Sequence, residues 1–259
     1  MHSTARQAGN NESRVKSKNR AKAVDVAKVI TAFNTWSFKR EQPSDARLLA
    51  AQVQKHIDRG MPVEFILYWG KGPRHQPTAP EQACLDFIAA MVRRLAEVHA
   101  PGASVRLIFT DTHALLNGHS RADMMAYFCA VGQAAIDRGF RWCLLGDVTR
   151  AHSSNIGHAC PAMRPEPTIR QLENSAARWY RGSGQPVDGA IAYFDMNMVE
   201  KRAVELEFPD AIFITFSGSD LRELFPAGLP IFYMYSVRKG VSAKPWFLDH
   251  NAMSTANAS

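Results

Sequence analysis

Hydrophobic and polar positions along the chain follow two alternating periods. Short runs of apolar, β-branched and aromatic residues at 63–69 (VEFILYW), 104–110 (SVRLIFT), 141–145 (RWCLL), 211–216 (AIFITF) and 231–237 (IFYMYSV) read as five strands. In the first run apolar residues fall on both faces, as in a parallel sheet held between helix layers. Between the runs, apolar residues recur every three to four positions. This spacing predicts helices over 25–33, over 45–59 with Leu48, Leu49, Val53 and Ile57 on one face, and from 79 to about 99. It predicts three more over 120–138, 168–181 and 189–208. Boundary signals match the pattern. Ser44 is placed to cap the second helix and Gly60 to stop it, Thr78-x-x-Glu81 with Pro80 forms a capping box, and Ser120-x-x-Asp123 and Thr168-x-x-Gln171 open later helices. Residues 146–167 hold three Pro, two His and Cys160 and predict a long loop, which in a compact domain is usually functional or mobile.

Strands alternating with helices imply an α/β fold with a largely parallel sheet. Such sheets bind ligands at the carboxyl ends of their strands. Here those ends are 69–74, 110–113, 146–150 and 216–220, each polar or glycine-rich directly after an apolar run.

Composition adds limits. The 259 residues, 46% hydrophobic and 21% charged, fit one large globular domain. The net charge of +7 is concentrated: residues 1–22 carry six cations and one anion, leaving +2 on the remainder. We expect a disordered basic arm at 1–22, a single α/β domain at 23–250 and a disordered tail at 251–259. A nearly neutral body argues against nucleic acid as the main partner. No apolar run is long enough to span a membrane, and no apolar core follows the basic N-terminus as in a secretory signal. The four cysteines form no CxxC, and three lie in apolar surroundings as buried small hydrophobes, which favours a reducing cytoplasm.

Candidate chemistry gathers at the strand ends. Gly70-Lys71-Gly72-Pro73-Arg74-His75 offers two glycines, two cations and an imidazole for a phosphate or carboxylate, although a solvated basic turn gives the same pattern and no P-loop is present. Asp111 and His113 can supply a general base or orient an amine, with Asp111 as a turn cap the alternative. Asp147 and Arg150 follow the third strand, where Arg150 can grip an anion. The spacing His152…His158-x-Cys160 matches no common zinc site, so no metal is expected. Arg178-Trp179-Tyr180-Arg181 could stack nucleic-acid bases, but reads more simply as a helix end. No dinucleotide, serine-nucleophile or metalloprotease motif is present, and no cofactor is expected.

The order of motifs resembles the pyoverdine/dityrosine biosynthesis family, whose bacterial members are isonitrile (isocyanide) synthases. The residues that carry it are Lys71 in a strand-end loop, Ala79-Pro80-Glu81-x-x-x-Leu85 opening a helix, and Val98-His99-Ala100-Pro101-Gly102-Ala103. A strand into Asp111, then Phe208-Pro209-Asp210-Ala211-Ile212, and Lys244-Pro245-Trp246 after the last strand complete it. The likeness covers roughly 60–130 and 200–248. It implies a Rossmann-like α/β fold and conversion of an amino-acid amine to an isonitrile, with ribulose 5-phosphate as carbon donor. By position, Lys71 would meet the sugar carbonyl or phosphate, Glu81 matches the helix-opening acid and Asp111 the strand-end acid. The chain departs from the pattern at Gly72, Thr112, Phe213, Thr215, Ser217 and Phe247, where the family has Ser, Gly, Arg, Ser, His and His. Arg74, His75 and His113 are the candidates to replace the lost groups.

The leading expectation is an isonitrile synthase-like enzyme with Lys71, Glu81, Asp111 and His113 in catalysis. Gly70, Gly72, Arg74, His75, Asp147, Arg150 and Ser217 would bind an amino acid and a sugar phosphate. An iron/2-oxoglutarate oxygenase acting on the product is the expected partner. The alternatives are a transferase for another phosphorylated sugar or nucleotide, and a non-catalytic binding protein.

Overall fold

The computed structural model describes residues 25–156 and 164–249. The predicted arm at 1–22, the tail at 251–259, and His158 and Cys160 lie outside them. Five strands form one parallel sheet in the order β3-β2-β1-β4-β5, with β1 (Val63–Trp69), β2 (Ala103–Phe109), β3 (Arg141–Leu144), β4 (Ile212–Thr215) and β5 (Ile231–Tyr233). Central β1 pairs with β2 from Val63↔Ala103 to Trp69↔Phe109 and with β4 from Phe65↔Ile212 to Leu67↔Ile214. This is a Rossmann-like α/β arrangement, and its order reverses between β1 and β4.

The double-sided apolar pattern of the strands has its reason in two cores. Phe65, Leu67, Trp69, Leu107, Phe109 and Ile214 face one layer, made of α1 (Val26–Phe33), α2 (Ala46–Asp58), α3 (Ala79–Ala96) and α5 (Arg121–Ile136). Ile66, Ile108, Phe213 and Ile231 face the other, which includes α6 (Leu145–Ala151) and α9 (Pro186–Glu207). A third cluster of Leu172, Ala176, Tyr193, Phe194 and Leu224 joins α8 (Glu166–Trp179) to α9 beside the sheet. Each fully buried large side chain contributes about 1.5–3 kcal/mol.

Several expectations are corrected. Asp45, not Ser44, caps α2, accepting from the backbone N–H groups of Arg47 and Leu48 at 2.9 Å. Ser44 is spent elsewhere: its hydroxyl accepts the Ile231 N–H at 3.0 Å and so finishes the edge of β5. Residues after β2, read as a loop, form α4 (Asp111–Leu116). The supposed long loop after β3 begins with α6 and α7 (Ser153–Ile156). Thr168 sits inside α8, two residues after its start at Glu166, and α9 starts at Pro186, within the expected break. Of the cysteines described, Cys84 is buried, Cys143 partly so, and Cys129 is exposed. No helix among the described residues is long and apolar enough to cross a membrane.

Candidate functional site

A cavity of about 240 Å³ opens at the carboxyl ends of β1, β2 and β4, where the strand order reverses. This is where open α/β sheets bind ligands. Its floor is apolar, built from Phe213, Leu172, Leu221, Leu224 and Phe225. Its polar groups include His113, Asn117, Tyr193, Asn197, Ser217 and Lys244.

His113 stands on α4 because β2 passes straight into that helix. Its Nε2 lies 2.8 Å from Oε2 of Glu200, a carboxylate buried in α9, while Thr112 donates its hydroxyl to the other oxygen. A carboxylate can only accept, so Nε2 carries the proton. Nδ1, which has no partner among the described residues, is left as an acceptor. The ring lies parallel to Tyr193 at 5.9 Å. Tyr193 donates to Asn117, and Asn197 donates to the Tyr193 carbonyl at 2.7 Å. Burial raises the Tyr193 phenol to about 12. Burial, and then the charges of Glu200 and Glu205, push Tyr68 well above its ordinary value. The Tyr68 hydroxyl is therefore a protonated donor, and it is buried with no partner among the described residues.

The loop after β1 is arranged differently from the expectation. The Lys71 side chain is fully buried. Its ammonium donates to the Arg74 carbonyl at 2.7 Å, pairs with Asp123 at 3.0 Å and lies over the Tyr127 ring at 5.2 Å. Arg74 donates to the carbonyls of Leu248 (2.6 Å) and Pro245 (2.9 Å) and to Glu81 (2.9 Å). Glu81, wholly buried, also accepts from Tyr127 and from the backbone and hydroxyl of Thr78. This network clasps the segment 245–248 onto the loop. The glycines serve the same closure: a Cβ at Gly70 would sit 2.8 Å from the Trp246 ring, and one at Gly72 only 2.1 Å from the Trp246 carbonyl oxygen. They admit Trp246, where the sequence suggested an anion. The clasp sets Phe247 against Trp179, stacked at 4.9 Å along the cavity wall.

Of the expected site residues, the cavity gathers Gly70, Lys71, His113 and Ser217. Gly72, Arg74, His75, Glu81, Asp111, Asp147 and Arg150 stand outside its lining. His75 is exposed and pairs with Asp123. In Asp123, burial opposes ionisation, but hydrogen bonds from His75 and Lys71 outweigh it and hold the carboxyl below its ordinary value. Asp111 accepts the Gly146 N–H at 2.9 Å, tying β2 to the start of α6. Asp147 and Arg150 pair with each other on the exposed face of α6. His152 of the doubtful zinc motif is bound to Glu207 at 2.7 Å. Trp179, from the supposed base-stacking segment, belongs to the cavity.

No known family model matches the chain, and no curated protein does. Among solved structures, the PvcA protein from Pseudomonas aeruginosa superposes with a TM-score of 0.64 at 20% identity, over 85% of this chain and 87% of that one. The chain has the PvcA fold. Tyrosyl-tRNA synthetases solved with L-tyrosine follow at a distance. That of Archaeoglobus fulgidus has a TM-score of 0.49 and 10% identity, over 81% of this chain and 63% of its own. That of Pyrococcus horikoshii has 0.45 and 13%, over 77% and 52%. The match to PvcA spans most of both chains, so the sheet and its flanking helices belong to one shared architecture.

Sequence reasoning missed Glu200, Asn197 and Tyr193. A signal existed: 193, 197, 200 and 204 fall at helical spacing on one face, and two of the four are polar. Polar residues on a buried face need partners, and here the partners form the site.

Proposed function

We propose that this chain is an isonitrile synthase-like enzyme acting on the amine of an amino acid, with a sugar phosphate as carbon donor. The motif resemblance favours that family, and PvcA, whose fold the chain shares, is a protein of it. The observation that carries the reading is the His113–Glu200 pair on a largely apolar cavity at the sheet's switch point.

The chemistry needs such a pair. An amino-acid amine is an ammonium at neutral pH and cannot attack a carbonyl until it loses a proton. His113 Nδ1 takes that proton, and Glu200 stabilises the imidazolium that forms. A positioned base of this kind contributes about 10²–10⁴-fold. Phe213 and the leucines of the floor suit an apolar side chain better than a polar one.

The test is incubation of the protein with single amino acids and ribulose 5-phosphate, followed by mass spectrometry. Consumption of an apolar or aromatic amino acid that disappears in His113→Ala supports the proposal. No consumption of any amino acid contradicts it. A nucleotide that stabilises the protein while ribulose 5-phosphate does not would favour a nucleotide-using transferase.

A further inference from the structure

The residues lining the cavity include three that can carry positive charge, Lys71, His113 and Lys244, and no Asp or Glu. Two of the three are already answered from behind the wall. Lys71 is paired with Asp123, and His113 with Glu200. Lys244 has no hydrogen bond or ion pair from its side chain among the described residues. The cations the sequence favoured for an anion are committed elsewhere: Arg74 to Glu81 and two carbonyls, Arg150 to Asp147.

Lys244 is also held in place. It precedes Pro245, which restricts its backbone to the extended conformation observed (φ −63°, ψ 131°). Its carbonyl accepts the Phe247 N–H at 2.9 Å, and Pro245 and Trp246 beside it are buried. Lys244 lines the cavity as an exposed residue, and desolvation lowers its hold on its proton. An unanswered charge in such surroundings gains from an oxyanion.

We infer that Lys244 is the anchor for an oxyanion of the substrate, a carboxylate or a phosphate, in place of the Lys71–Arg74 loop. The inference rests on the reading of the cavity as a substrate site, and not on isonitrile formation. The rigid 244–247 turn then carries two functions: Lys244 holds the charged end of the ligand, and Phe247 closes on Trp179 beside it.

The test is isothermal titration calorimetry of the full chain and of Lys244→Gln and Lys244→Arg, with inorganic phosphate, ribulose 5-phosphate, L-phenylalanine and L-phenylalaninamide as probes. Loss of one charge-assisted contact predicts about tenfold or more weaker binding in Lys244→Gln, with most of the affinity kept in Lys244→Arg. A loss for phenylalanine but not for its amide assigns the carboxylate. A loss for phosphate and ribulose 5-phosphate alone assigns the phosphate. Equal affinities in the wild type and Lys244→Gln overturn the inference, as does a wild type that binds none of the probes. Lys244-dependent binding without product formation would sustain it while refuting the isonitrile reading.

Discussion

At Glu200 one carboxylate serves two neighbours, the Thr112 hydroxyl and the His113 ring, and so fixes which imidazole nitrogen stays open. Glu200→Gln should lower kcat about 10²-fold or more while far-ultraviolet circular dichroism stays that of the wild type. Wild-type kcat in this variant would remove the pair from the mechanism. Asp123 acts on stability. Its carboxyl lies below its ordinary value in the folded chain, so the unfolded chain binds more protons as acid is added. Its contribution is complete above about pH 4, the ordinary carboxylate value, and is lost as pH falls through the depressed folded value. Asp123→Asn should cost about 3 kcal/mol near neutral pH, because it leaves the buried Lys71 ammonium with carbonyls alone. It should also flatten the decline of Tm in acid. A variant that loses stability in acid as steeply as the wild type would contradict this assignment. Both acids were visible in the sequence, Asp123 as a helix-start signal and Glu200 only as a polar residue on an apolar helical face. Neither disclosed its partner, since 87 positions separate His113 from Glu200 and 52 separate Lys71 from Asp123.

The elements that shape the cavity mouth are the loop after β1 and the turn at 245–247. Gly72→Ala places a methyl group 2.1 Å from a backbone oxygen that cannot swing away. It should destabilise the protein by about 1–3 kcal/mol in urea unfolding. An unchanged midpoint would show that the clasp is not held as described. β1 was legible to the residue because its apolar run ends sharply at Gly70. α4 and α6 were not, because each begins directly after its strand and is only six or seven residues long. So short a helix has too few apolar positions to show a period, and the Asp111 link to Gly146 that joins the two spans 35 residues. The glycines at 70 and 72 were legible as places of close approach. What approaches them, Trp246, lies more than 170 residues away and leaves no local mark.

At the scale of the molecule, the five strand runs and the helices between them carry the fold, and the rule that ligands bind at strand ends carried the cavity's location. The motifs of the resemblance mostly became framework: Lys71, Glu81 and Trp246 belong to the clasp that Arg74 completes between the loop after β1 and the turn at 245–247. On the reading proposed here, the groups left to meet a substrate are His113, held by Glu200, and Lys244. The most direct test of the function proposed for this cavity uses uniformly ¹³C-labelled ribulose 5-phosphate and a panel of amino acids, with the products followed by mass spectrometry and ¹³C NMR. The expected result is an amino-acid product bearing a single labelled carbon on its nitrogen, formed by the wild type and absent with His113→Ala. Unlabelled amino acids throughout, with the sugar phosphate intact, would contradict it.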